Sequence, residues 1–397
     1  MDRVKRPRIS SALWLVIGFV IAMLWGELFA SVLMPQNLDT VLDILEPDPV
    51  AGYLYRPDAF LMERGRGYDV PFQINSIGLR DREIPAKTPG VFRVMLIGNS
   101  FSVSHGVAIE ESFSRALENA MNRDRDSFAE YDRVEVINCS NAGYSAYNYW
   151  KGYTRWAPVL APDLVIVGFV PGREHRCDAD GTQYLVEDGL LLGRFGKDEE
   201  VVHPRRNPVR KVRKHLARSS NFYVLMRNYF YYNERIDRFL KRGDGVGEAK
   251  KSLQPYMVPL PTGIENGWAR AYGHLERLHD ETRRDGTDLV VVAIPERAHV
   301  DERHFANLRT RIGLDADQVD QDQPTKEVEK FCVQAGIAVI DLKAAVAEAH
   351  TKTNAYLPDN HWNSVGIAAG AEAVATQLMS EGRYPYREKT EVKTSIR

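Results

Sequence analysis

Five short apolar blocks constrain this chain most: Phe92–Ile97, Val134–Ile137, Leu164–Val170, Leu289–Ile294 and Ile337–Ile340. Each is a continuous run rich in Val, Ile and Leu, without polar alternation. A strand with one wet face alternates, whereas a strand covered on both faces does not. Helical patterns lie between the blocks. Glu111–Met121 puts Phe113, Ala116, Leu117 and Ala120 on one face, and Trp268–Arg284 does the same with Ala271, Tyr272, Leu275 and Leu278. Pro324–Ala335 and Ser364–Met379 complete the set. Such alternation of buried strand and helix predicts a doubly wound α/β sheet.

A longer apolar run precedes this pattern. Ala12–Gly26 holds no charge, Glu27 follows, and Leu28–Met34 is apolar again. As one helix it would rise roughly 34 Å, enough for a bilayer core of about 30 Å. Arg3, Lys5, Arg6 and Arg8 against Asp2 give residues 1–8 a net +3. The whole chain carries −2, so the remainder carries −5. A basic flank before an apolar span places the N-terminus in the cytoplasm and the bulk of the chain outside. The reading adopted is a signal-anchor helix. A cleaved signal peptide would want a small-residue site after Gly26, and none is evident. The balanced charge argues against a dedicated nucleic-acid binder. Three cysteines, Cys139, Cys177 and Cys332, lack metal spacing and read as small buried hydrophobes.

The organisation expected is a tail and anchor at 1–34, a linker with short strands at 35–90, and one domain at 91–385. Pro35 to about Gly52 reads as linker, and Val70–Ile74 as a strand. An insertion at about 177–262 interrupts the domain, with a hairpin at Gln183–Leu192 and helical stretches at Asn207–Arg218 and Asn221–Lys241. Arg205, Arg206, Arg210, Lys211, Arg213, Lys214 and Arg218 cluster there. They read first as a solvated face, and alternatively as a contact for anionic lipid or an anionic glycan.

Three segments carry chemistry. Ligands of open α/β sheets bind at the carboxyl ends of strands, and Ser100 stands there in Gly98-Asn99-Ser100. Asp359-Asn360-His361 offers an imidazole with a carboxylate two residues away, as a general base for a serine requires. Gly143, in Asn141-Ala142-Gly143-Tyr144, lets a backbone N–H approach a developing oxyanion. Each alone has a plain alternative: a helix cap, an exposed loop and a turn. No cluster of His and carboxylates implies a metal, and no cofactor is expected. His105, five residues past Ser100, is expected at an exposed helix start, with a place facing the cleft as its alternative.

Together these segments resemble the SGNH (GDSL-type) hydrolases, in the branch with an N-terminal membrane anchor. The resemblance runs through Asn75-Ser76-Ile77-Gly78-Leu79-Arg80-Asp81, Phe92 to Phe101, Gly106-Val107 and Glu111-Ser112-Phe113. It continues through Val136-Ile137-Asn138, Ala142-Gly143-Tyr144-Ser145 and Pro162-Asp163-Leu164-Val165, and closes with Asp359-Asn360-His361-Trp362-Asn363 and Gly366. It implies a three-layer α/β/α sandwich with a five-stranded parallel sheet of order 2-1-3-4-5. It also implies Ser100 as nucleophile, His361 as base and Asp359 as its orienting acid. Ser100 and Gly143 become backbone oxyanion donors.

There are three departures. Asn99 replaces the usual aspartate before the serine, and Pro358 stands where many members carry the acid. Arg173, in Pro171-Gly172-Arg173-Glu174, stands in place of the oxyanion asparagine. Arg173 is expected either as an oxyanion or substrate-anion ligand, or paired with Glu174. Asn99, Glu296, Arg297 and Trp362 are expected substrate contacts, Trp362 having a core position as its alternative.

The function so implied is an exported, membrane-anchored serine esterase. It would act on O-acyl groups, acetyl first among them, of an envelope or extracellular glycan. The alternatives are an O-acyltransferase using the same acyl-serine, or a glycan-binding scaffold with a decayed oxyanion hole.

Overall fold

The computed structural model describes residues 11–36, 44–65, 67–123, 131–187, 189–196, 208–232 and 245–381. The basic flank at 1–8, Arg205 and Arg206 lie outside them.

The five apolar blocks form one parallel sheet. Its strands are β1 (Val91–Gly98), β2 (Arg133–Asn138), β3 (Leu164–Phe169), β4 (Asp288–Ala293) and β5 (Ala338–Asp341). They lie in the order β2-β1-β3-β4-β5, every neighbour parallel. Alternate side chains enter opposite cores, which explains the continuous runs. Met95, Ile97, Val165, Val167 and Val291 face helices Ala146–Leu160, Thr262–Arg284 and Gln323–Ala335. Val94, Leu96, Ile166, Val290 and Val292 face Phe113–Met121, Lys343–Lys352 and Ser364–Ser380. The architecture is therefore three layers, with helices on both faces of the sheet.

The expected linker is shorter than read. Leu45–Asp48 pairs antiparallel with Gly52–Tyr55, and Phe60–Gly65 with Tyr68–Gln73. Prolines at 47 and 49 suggested irregular chain, but Pro47 sits on a two-stranded ribbon, where an unpaired edge tolerates it.

The chain divides into two compact units, 1–40 with 204–243, and 41–203 with 244–397. The stretch 177–262 accordingly contributes to both units. Its hairpin (Gln183–Glu187 with Leu190–Phe195) and helix Gly245–Leu253 belong to the α/β unit. Helices Pro208–Ser219 and Asn221–Tyr232 belong to the unit holding the N-terminal helix Ser11–Leu33. That helix is long and apolar enough to cross a membrane, with mean hydropathy 2.1 over Leu13–Leu33. All three cysteines are free and buried.

Candidate active site

The carboxyl ends of β1, β2, β3 and β4 carry the site. After β1, the Asn99 side chain accepts from the Phe101 N–H at 3.1 Å and caps the short helix Ser100–Val103. This turns Ser100 outward at the tip of the strand. Its hydroxyl lies 2.8 Å from His361 Nε2. Asp359 Oδ2 stands 3.3 Å from His361 Nδ1, while Oδ1 accepts the His361 backbone N–H at 3.1 Å. The Asp359–imidazole contact is an ion-pair distance, looser than an aligned hydrogen bond. Catalytic contacts are often looser before substrate arrives.

Burial is the main cause that pushes the His361 pKa below its ordinary value. The Asp359 carboxylate opposes it, and the positive fields of His105 and Arg173 reinforce it. The imidazole is thus neutral near pH 7 and able to take a proton. Burial raises the Asp359 carboxyl, but hydrogen bonds and charge from His361 outweigh it and hold the acid below its usual range.

The loop after β2 comes alongside. Asn141 N–H donates to the Gly98 carbonyl at 3.2 Å, tying the loop to the residue two before Ser100. Gly143 has φ +76°, and a Cβ there would stand 3.2 Å from Arg194 and Tyr53. The Ser100 and Gly143 N–H groups, the two expected oxyanion donors, have no acceptor among the described residues. Ser100 begins its helix, where the first N–H groups have no intrahelical partner.

Arg173 does not pair with Glu174. Its Nε donates to Glu296 Oε1 at 2.5 Å, and its guanidinium stands 5.1 Å over the Phe101 ring. Burial lowers its pKa, but Glu296 outweighs that, so the cation is secure. Arg173, Glu296, Arg297, His304, Arg311 and Asn360 line a cavity of about 240 Å³ beside the imidazole loop. Glu296 and Arg297 stand just past the end of β4. Arg297 is braced by Asp301 at 3.1 Å.

Two expected substrate contacts are corrected. Trp362 is 2% exposed and packs edge-on to Phe101 and Phe113, so it is core rather than a sugar platform. Asn99 is buried and points away from the cleft, donating its amide to Glu174 Oε1 at 3.3 Å. Glu174 also receives the Tyr149 hydroxyl at 2.7 Å. Burial lifts its pKa to about 7, against the hydrogen bonds that favour the anion. The Asn99 departure follows from this contact: a carboxylate at 174 calls for an amide, not an acid, at 99.

Other supports were not legible as such. Arg80, 1% exposed, donates to the carbonyls of Val103, Ser104 and Val107 at 2.6, 2.6 and 2.5 Å, gripping the turn that follows the serine. Asp81 accepts the Asn138 N–H at 2.7 Å at the end of β2. His105 is not at the surface. It is buried, bound through Nδ1 to Glu63 at 2.7 Å, stacked on Phe72, and 5.9 Å from the His361 ring. Glu63 also accepts the Gly106 N–H at 3.0 Å. The Arg80-Asp81 block was visible only as part of the resemblance, and Glu63 carried no signal at all.

Residues 261–396 match the family described as SGNH hydrolase-like domain, acetyltransferase AlgX. Solved structures with some likeness include TesA, at 10% identity, covering 72% of this chain and 98% of that one, with a TM-score of 0.37. The acetylxylan esterase Axe2 of Geobacillus stearothermophilus, solved as a catalytic mutant, is 12% identical over 77% and 99%, TM-score 0.37. The lipase/acylhydrolase of Enterococcus faecalis is 14% identical over 75% and 100%, TM-score 0.35. At such TM-scores these three add no weight. No curated protein matches the chain.

Proposed function

We propose that the chain is an SGNH-type hydrolase, a reading supported by the family match over residues 261–396, and that it transfers acyl groups through an ester of Ser100. The observation that carries this reading is the 2.8 Å contact of Ser100 Oγ with His361 Nε2, backed by Asp359. His361 takes the Ser100 proton as Oγ attacks the ester carbonyl. The oxyanion so formed is met by the Ser100 and Gly143 N–H groups. Collapse expels the alcohol, which takes the proton back from His361, and leaves acyl-Ser100. Water activated by the same imidazole then frees the acid.

The substrate proposed is an O-acyl, chiefly O-acetyl, group on an envelope or extracellular glycan. Arg173, held by Glu296 at the cavity rim, serves as a fixed cation for the oxyanion or for an anionic group of the substrate. The helix Ser11–Leu33 anchors the chain in the membrane, with the α/β unit outside the cytoplasm. A second reading, transfer of the acyl group to a sugar hydroxyl instead of water, is favoured by the matching family's description as an acetyltransferase.

The test is labelling of the full chain with a fluorophosphonate. Wild type labels and Ser100→Ala does not. Folded wild type that fails to label refutes the acyl-serine. An acetyl donor offered with and without a glycan acceptor then separates hydrolysis from transfer.

A further inference from the structure

In the N-terminal unit, an acidic residue inside the apolar helix is fully engaged. Glu27 accepts from Ser220 Oγ at 2.5 Å, the Asn221 N–H at 2.8 Å, the Phe222 N–H at 3.1 Å and Ser31 Oγ at 3.0 Å. Asn221 adds a bond to Ser31 and accepts the Gln36 N–H at 2.6 Å. Glu27 therefore takes the first two amides of helix Asn221–Tyr232, and Ser220 Oγ takes the third, from Tyr223, at 3.0 Å. Gly26 allows the approach, since a Cβ there would fall 2.9 Å from the Phe222 ring.

This contact fixes a depth. Glu27 lies six residues before Leu33, about 9 Å from the outer end of the helix at 1.5 Å per residue. Amphipathic helices that lie on membranes sink about 5–10 Å into the boundary between headgroups and acyl chains. The tethered pair has the composition for that place. Asn221–Tyr232 carries Phe222, Tyr223, Tyr229, Phe230, Tyr231 and Tyr232, and aromatic residues of this kind gather at membrane interfaces. Pro208–Ser219 carries Arg210, Lys211, Arg213, Lys214 and Arg218, with no acid, and Val209, Val212 and Leu216 at helical spacing. Val212 and Tyr229 are each 57% exposed.

We infer that helices Pro208–Ser219 and Asn221–Tyr232 form an interfacial hairpin, lying in the outer leaflet beside the anchor. Its aromatic helix is at the acyl boundary and its basic helix on anionic phospholipid headgroups. The inference rests on the anchor reading proposed above. It commits the basic cluster to lipid rather than to glycan, by charge complementarity and by continuity with the span.

The test uses full-length chain with Tyr229→Cys bearing an environment-sensitive fluorophore, the native cysteines being buried. The protein is reconstituted into vesicles of phosphatidylcholine with or without phosphatidylglycerol, and with or without brominated acyl chains. The expected result is flotation with the vesicles, blue-shifted emission, and bromolipid quenching that strengthens with phosphatidylglycerol and weakens with salt. Failure to float refutes the anchor itself. Flotation with unquenched, water-like emission overturns the hairpin while leaving the anchor intact. Equal quenching in both lipids overturns the anionic-headgroup assignment. In Glu27→Leu, which keeps the span apolar, flotation persists and quenching is lost. Unchanged quenching there overturns the tether.

Discussion

Asn99→Asp would restore the residue expected before an SGNH serine, and the structure says it harms this chain. The Asn99 amide donates to Glu174 across 3.3 Å inside the protein. An aspartate there sets two buried carboxyl groups at that distance. Two full charges 3.3 Å apart would repel by about 5 kcal/mol at an effective dielectric of 20. One proton is therefore retained by the pair, whichever oxygen holds it. In wild type, Glu174 has a folded pKa of about 7, raised chiefly by burial, above the unfolded value of about 4.3. A raised carboxyl pKa lowers stability as pH rises from the unfolded to the folded value, and the loss then levels off. Wild type levels off near pH 7. In Asn99→Asp the pair keeps its proton, so the loss continues at about 1.4 kcal/mol per pH unit above 7. At pH 8.5 the variant is about 2 kcal/mol worse relative to wild type than at pH 6. Thermal unfolding at the two pH values measures this, and any constant offset from burying the introduced carboxyl cancels in the comparison. Adding Glu174→Gln leaves a single buried acid, as in wild type, and should remove the excess loss above pH 7. A difference between Asn99→Asp and wild type that is equal at pH 6 and 8.5 would refute the reasoning.

Two further perturbations follow from the same geometry. Arg173→Ala removes one of the positive fields that help burial keep His361 below its ordinary pKa, so the acid limb of kcat/KM on an activated acetyl ester should move to higher pH. An unmoved limb means that Arg173 does not act on the imidazole, and an unchanged kcat/KM removes it from the site altogether. Arg80→Met leaves the carbonyls of Val103, Ser104 and Val107 without their buried donor. Charged hydrogen bonds contribute about 1.5–3 kcal/mol each, part of it offset by no longer burying the cation, so a loss of roughly 3–5 kcal/mol in denaturant unfolding is expected.

The sheet was legible because burial on both faces leaves an unmistakable mark: each run extends through a whole strand. Ser100, Asp359 and His361 were legible because short motifs set them at loop positions that a parallel sheet gathers at one edge. The supports were not. Glu63, Arg80 and Glu174 act across 23 to 75 residues of chain, and a charged side chain reads as surface until its buried partner is known. His105 was misplaced for that reason, since its burial depends on Glu63. Trp362 was ambiguous because core and binding indoles look alike in sequence. The 35–52 stretch misled because strands of four residues are too short to declare a period.

The grip of Glu63 and Arg80 on the turn after Ser100 carries the working unit back beyond the sheet. A chain beginning at Val91 would contain every strand of the sheet and both members of the Ser100–His361 contact. It would lack the hairpin carboxylate and the guanidinium that hold residues 103–107 in place. It would also lose part of the core itself, since Tyr53, Tyr55, Phe72 and Ile74 share one buried cluster with Met95 and Ile97 of the sheet. Grafting this chemistry onto another sheet would mean carrying over the short ribbons ahead of it, which look in sequence like packaging.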